Sequence, residues 1–335
     1  MREVRREVIA APQAKALVWI GDTLYDVAAG WRPFPLDGST GSSKFSGYGG
    51  QFDAATISPA GDVVALIAST GTKALLLASD GRLLREVNRS YYQAEAYRYP
   101  LTLCTLPDGR TGLVHCPEDY NHLEIEVAAT GERLTASTDR EPEDFFHSRL
   151  AVSPNGRYLL SAGWVWHPLG CLAVYDLTRA LTEPTTLDTD GDVLTLPGLI
   201  DDEIAGACFV DEDIVITTAA GPNTPDNPED PTPTMLARWS PATRTFTWQR
   251  QLDTSAGDVV AVAGNILTLH SHPRLYDAAT GDLLAEWPDL PTGHADSSIM
   301  WENSFSGPAR VAVDHDNRRF AVTDGEQITV IHLSE

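Results

Sequence analysis

Lysine is almost missing from this chain: Lys15, Lys44 and Lys73 are the only three in 335 residues, and arginine supplies the rest of the 24 positive charges against 47 acidic ones. With a formal net charge of −23, the surface repels nucleic acid and anionic membranes, so neither is an expected partner. Cysteine is also scarce. Cys104, Cys116, Cys171 and Cys208 stand singly, without CxxC spacing, which argues against a zinc ribbon or a disulfide framework and predicts buried, reduced thiols. No apolar run approaches the roughly 20 residues of a membrane span. Residues 1–8 carry charge, including Arg5-Arg6, but no apolar stretch follows them as in a secretion signal. A cytoplasmic, bacterial protein is the expectation. Also missing are a nucleophile elbow, a P-loop, a dinucleotide fingerprint and a zinc-protease helix. No catalytic residue, cofactor or metal-ligand set is therefore assigned.

What the chain does have is repetition. Leu24-Tyr25-Asp26-Val27-Ala28-Ala29-Gly30 returns as Leu275-Tyr276-Asp277-Ala278-Ala279-Thr280-Gly281, with looser copies around Asp80-Gly81, Thr130-Gly131, Tyr175-Asp176 and Trp239-Ser240. In each, alternating apolar residues run into a small polar turn and out again, the pattern of an antiparallel hairpin. A second kind of turn recurs upstream, as in Ser58-Pro59-Ala60-Gly61, Leu106-Pro107-Asp108-Gly109 and Ser153-Pro154-Asn155-Gly156. Two hairpins per unit make four strands, a to d. A four-stranded unit recurring every forty to fifty residues or so is the signature of a propeller blade.

The expected fold is therefore all-β, a single seven-bladed propeller domain over residues 1–335. Its four-stranded antiparallel blades fall near 6–36, 52–87, 101–136, 147–187, 204–252, 259–287 and 309–333. The last unit shows only three strands. Residues 2–8 are the candidate to close it, since an open ring would leave a bare strand edge; six blades or an incomplete ring are the alternatives. Helical turns are expected only near 89–96 and 183–187.

These residues resemble the WD-repeat family of β-propellers. Ser-Pro-x-Gly at 58–61 and 153–156 looks like that family's first hairpin turn, and Tyr25-Asp26, Tyr175-Asp176 and Tyr276-Asp277 stand where it ends strand c with Trp-Asp. Gly293-His294 with Asp324 is similar to its Gly-His and Asp pair, which the resemblance implies are hydrogen-bonded within a blade. Gly-His occurs once, however, and no Trp-Asp dipeptide is present.

In a propeller the d-to-a and b-to-c loops open on one face and the a-to-b and c-to-d turns on the other. The first face collects seven of the nine histidines and most of the loop aromatics, while the second has short turns of Asp, Gly, Asn and Pro. Aromatic and histidine side chains on loops held by a rigid ring suit a binding surface. Tyr91, Tyr92, His122, Trp164, Trp166, His167, His270, His272, His294 and Trp301 are the candidate partner-binding residues. The Pro-rich stretch 221–234 is a possible arm at the rim, and 288–308 a possible lid. His270-x-His272, completed by His115 or His167, could form a metal site, but nothing in the sequence shows that these residues converge. Asp188 to Asp192 reads as an acidic turn, not a calcium loop. The favoured function is a scaffold or regulatory subunit that binds another protein, one with a basic patch. The alternative is an enzyme or small-molecule-binding protein with a pocket lined by histidine and carboxylate at the same mouth, metal-dependent or not.

Overall fold

The turns set the architecture. In Ser58-Pro59-Ala60-Gly61 the Gly61 N–H donates to Ser58 O at 2.8 Å, with Gly61 at φ +72, a left-handed conformation that glycine adopts without strain. Ser58 Oγ accepts from the N–H groups of Asp62 and Val63. Ser153 builds the same turn, with Gly156 N–H on Ser153 O at 2.8 Å and Tyr158 N–H on Ser153 Oγ at 2.9 Å. Such turns reverse the chain within four residues and force each strand back onto its predecessor.

The structure, a computed structural model, describes residues 1–39, 41–165, 169–189, 203–218, 234–293 and 310–334. After β1 (Glu3–Ala10), blade 1 consists of β2 (Leu17–Ile20), β3 (Thr23–Asp26) and β4 (Arg32–Phe34). Blade 2 is β5 (Ala54–Ile57), β6 (Val63–Ile67), β7 (Lys73–Ala78) and β8 (Leu83–Asn88), and blade 3 is β9 (Leu101–Thr105), β10 (Thr111–His115) and β11 (Glu124–Val127). Blade 4 has β12 (Leu150–Val152), β13 (Tyr158–Val165) and β14 (Leu169–Asp176), followed by the one-turn helix α1 (Leu177–Ala180). Blade 5 has β15 (Ile204–Val210), β16 (Asp213–Thr218), β17 (Met235–Ser240) and β18 (Thr245–Gln251). Blade 6 has β19 (Val259–Val262), β20 (Asn265–Thr268), β21 (Arg274–Tyr276) and β22 (Leu283–Glu286). In blade 7, β23 (Val311–Asp314), β24 (Arg319–Thr323) and β25 (Gln327–Leu333) are joined by β1, which runs antiparallel to β25 from Glu3 opposite Leu333 to Ala10 opposite Gln327.

The first strands of the seven sheets, β2, β5, β9, β12, β15, β19 and β23, neighbour one another in that order, and β23 returns to β2. There the Trp19 indole N–H donates to Ala312 O at 3.2 Å. The protein is thus a seven-bladed β-propeller closed by its amino-terminal strand. The closing strand is longer than the 2–8 expected, and it is used whole for that purpose, so blade 1 starts at Leu17 and not near residue 6.

Second strands are buried along their length, as in Val63–Ile67 and Arg319–Thr323, because both sheet faces pack on neighbouring blades. Leu101, Leu103 and Leu113 of blade 3 meet Val63, Ala65 and Leu76 of blade 2, and Ile125 and Val127 meet Leu159 and Tyr175 of blade 4. The fourth strand is present in blades 2, 5, 6 and 7; among the described residues the other three blades have three strands. In blade 3 the place of a fourth strand is marked by a single bridge between Glu126 and Arg133. In blade 4, α1 and the 3-10 turn Pro184–Leu187 follow β14, and in blade 1 the N–H groups of Lys44, Phe45 and Tyr48 bond to Gly30 O and Ala28 O. The helical turns near 89–96 and 183–187 are found as Ala94–Ala96 and Pro184–Leu187.

One expectation is corrected. Tyr276-Asp277 closes β21, the third strand of blade 6, but Tyr25-Asp26 closes β3, the second strand of blade 1, and so lies on the opposite face of the ring. The two heptapeptides share a turn and not a position. Gly30 N–H bonds Val27 O at 3.1 Å and Gly281 N–H bonds Asp277 O at 2.8 Å, with both glycines left-handed and both aspartates accepting backbone N–H groups.

Candidate functional site

The loop from β8 to β9, the loop from β10 to β11, the loop from β11 to β12 and the end of β13 meet on the d-to-a and b-to-c face, over blades 2 to 4. They bring five aromatic rings into one stack. Phe146 lies 3.9 Å from Trp164 with planes 14° apart, and Tyr120 lies 4.1 Å from Phe146 at 18°. Tyr92 lies 5.3 Å from Tyr120 and 6.1 Å from Phe146, while Tyr97 meets Phe146 and Trp164 edge-on. Exposure falls along the stack from 46 % at Tyr92 to 3 % at Trp164 and 0 % at Phe146, and Tyr91 beside it is 86 % exposed. Stacked and edge-to-face pairs of this kind each add about 0.5–1.5 kcal/mol beyond burial, so Tyr92 stands on a stiff base.

Charge surrounds this patch. The Tyr120 hydroxyl donates to Asp144 Oδ1 at 2.7 Å, and burial together with that carboxylate pushes the phenol well above its usual range. Glu95, Glu118, Asp119, Glu143 and Asp144 are all exposed on the same loops. His122, by contrast, is turned inward: its Nε2 is 3.2 Å from Glu124 Oε1, whose other oxygen accepts from Thr135 Oγ1 at 2.7 Å. His115 is likewise buried, 3.3 Å from Glu126, which also binds Arg85 of blade 2. Burial alone would raise the Glu126 carboxyl, but His115 and Arg85 outweigh it and hold the group at about 2. His147 sits sealed behind Phe145, with Nδ1 3.1 Å from Ser161 Oγ, and burial depresses it to about 3.

The expected site residues therefore separate. Tyr91 and Tyr92 form the exposed patch, and His122 lies at its margin. Trp164, expected to touch a partner, is instead buried beneath the stack, because the eight-residue β13 carries it between blades. His270 and His272 lie on the turn between β20 and β21 in blade 6, away from the stack; His272 Nε2 is 3.4 Å from Glu286. Trp166, His167, His294 and Trp301 lie outside the described residues, as do most of the Pro-rich stretch and of the 288–308 insertion. Among the described residues no three metal-ligating side chains converge, and His115 is engaged in blade 3, not beside His270. Asp188 holds Arg140 and the Glu141 N–H. Asp324 accepts from the N–H groups of Glu326 and Gln327 and caps the turn before β25; His294, the partner that the resemblance implies for it, lies outside the described residues.

The sequence reading missed the charges at the channel rim. Arg98, entering blade 3, pairs with Asp258, entering blade 6, across the top of the ring. Arg149 lies beside them at φ 45, a costly conformation for a side chain other than glycine; its Nε donates to Ala162 O at 3.0 Å. Burial lowers Arg149 to about 10, and the two arginines hold Asp258 below the usual carboxylate range against the opposing effect of its burial. These residues are far apart in the chain and have no motif. Among the described residues no helix is long and apolar enough to cross a membrane.

No protein-family model matches the chain, and no curated protein matches it in sequence. Solved structures do resemble it. BamB from Moraxella catarrhalis aligns at 13 % identity and TM-score 0.52 over 100 % of this chain and 98 % of its own. The Cps50 (Swd1) β-propeller domain of Myceliophteria thermophila aligns at 12 % and 0.52 over 98 % of each. A chain of the Mitotic Checkpoint Complex aligns at 9 % and 0.60 over 98 % of this chain and 94 % of its own. At such identities the likeness carries the β-propeller fold.

Proposed function

We propose that residues 1–335 form one WD-repeat-like propeller domain that works in the cytoplasm as a scaffold or regulatory subunit. In this reading it binds another protein through the aromatic face of blades 2 to 4. The observation that carries this reading is the graded stack: Tyr91 and Tyr92 are exposed at 86 % and 46 %, yet Tyr92 rests on rings anchored in the core. Pre-ordered aromatics give contact area at little entropic cost, and such residues dominate interface energetics. The five exposed carboxylates around the patch and the net charge of −23 favour a partner with a basic patch. One of the similar structures is a chain of a complex.

The test is affinity purification from the native cell, comparing wild type with a Tyr91→Ala, Tyr92→Ala double variant. Both side chains are at the surface, so folding is kept. Loss of one protein from the double variant, and its release from wild type as salt rises, is the expected result. Recovery of the same proteins at equal yield refutes the choice of face.

A further inference from the structure

Arg89 follows β8 directly, yet it is only 5 % exposed. Its Nε donates to Gly71 O at 2.8 Å, and its Nη2 donates to Ala94 O at 2.7 Å and Tyr97 O at 3.1 Å. The guanidinium carbon lies 4.6 Å from the ring centre of Tyr97 and 5.0 Å from that of Tyr99. A buried cation is costly without an anion beside it, and among the described residues no carboxylate is in ion-pair contact with this one. The groups that favour its charge most strongly are Tyr97, Tyr99 and Cys116. Burial keeps all three protonated, pushing Tyr97 up to about 12 and Tyr99 and Cys116 further still.

The node also has more donors than acceptors. Arg89 Nη1 and the Tyr99 hydroxyl are buried and without a hydrogen-bond partner, and the Tyr97 hydroxyl, also buried, meets only the Arg89 guanidinium, which offers its O–H no acceptor; the tyrosines are 1 % and 4 % exposed. Passing protons along a chain of hydroxyls does not close the deficit, because the last O–H still lacks an acceptor. The carbonyl groups of Gly71, Ala94 and Tyr97 face Arg89 and not the two hydroxyls. Buried donors left unsatisfied cost about 1–3 kcal/mol each, and three around one cation call for a group that accepts without donating.

We propose that Arg89, Tyr97 and Tyr99 form an internal site for a small monovalent anion of halide size. The anion neutralises the guanidinium and accepts from Nη1 and the two phenols. Because Arg89 and Tyr97 bracket the segment bearing Tyr91 and Tyr92, occupancy also stiffens the base of that loop. The site stands whether or not the loop binds a protein.

Crystals soaked in sodium bromide test the proposal by anomalous scattering. The expected result is a bromide peak within hydrogen-bond distance of Arg89 Nη1 and at least one phenol, absent from Arg89→Gln. In solution, the melting temperature of wild type should rise when bromide replaces gluconate at constant ionic strength. Tyr97→Phe and Tyr99→Phe keep the rings and the fold, and each should weaken the apparent bromide affinity about tenfold, the loss expected for one hydrogen bond to a charged group. Density without an anomalous signal, or a bromide dependence equal in wild type and Tyr99→Phe, overturns the proposal. So does bromide found only at surface arginines, which is an adventitious ion only.

Discussion

Acidification should destabilise this propeller through one imidazole well before its carboxylates titrate. His147 is 2 % exposed, and burial holds it at about 3, whereas in the unfolded chain it titrates at the ordinary imidazole value of 6.5. The neutral ring is favoured in the folded state, so stability is complete above pH 6.5. It is lost as pH falls from there towards 3, while the unfolded chain takes up a proton that the folded one refuses. At one pH unit per 1.36 kcal/mol, moving from pH 7.5 to pH 5.0 costs about 2 kcal/mol at this residue. Urea unfolding of wild type and of His147→Gln, at both pH values and constant ionic strength, isolates the effect. The stability gap between the two proteins should change by about 2 kcal/mol in favour of the variant at pH 5.0. Equal acid losses in the two proteins would show that His147 is protonated in the folded state, and the reasoning from burial would fail.

Other outcomes follow from turns and packing. Gly61→Ala and Gly281→Ala both place a side chain at positive φ, but a new Cβ meets nothing near Gly61 and comes within 2.9 Å of Trp248 near Gly281. Thermal unfolding should show a loss of about 1 kcal/mol for the first and a clearly larger one for the second. Phe146→Ala removes the middle of the ring stack and should cost about 3–5 kcal/mol in urea unfolding, with Tyr92 becoming more accessible to surface-labelling reagents.

Blade count was legible because it rests on local chemistry: Ser58, Gly61, Ser153 and Gly156 write their turns within five residues. What was hidden depends on distant partners. Glu124 and Glu126 alternate with Ile125 and Val127 like charges on an outward face, and Arg85, 41 residues earlier, with His115 and Arg133, explains why Glu126 is buried. Trp164 looked like a surface anchor because it precedes a loop with Trp166 and His167, but the length of β13 decides its depth. Arg89 carries no signal at all, since its environment is assembled from Gly71, Ala94, Tyr97 and Tyr99. The repeated heptapeptide misled in a more instructive way: it specifies how the chain turns and is silent about which end of a sheet does the turning.

The union of β1 with β25 has a kinetic consequence. Glu3–Ala10 precede every other strand of the propeller in the chain, yet their hydrogen-bonding edge is 327–333, so during synthesis they wait unpaired until the last blade has emerged. Among the described residues the seam joins the strands farthest apart in sequence, and it is the last that loop closure allows. Six blades can stack as they appear; the wheel becomes a wheel only when its oldest strand is latched by its youngest.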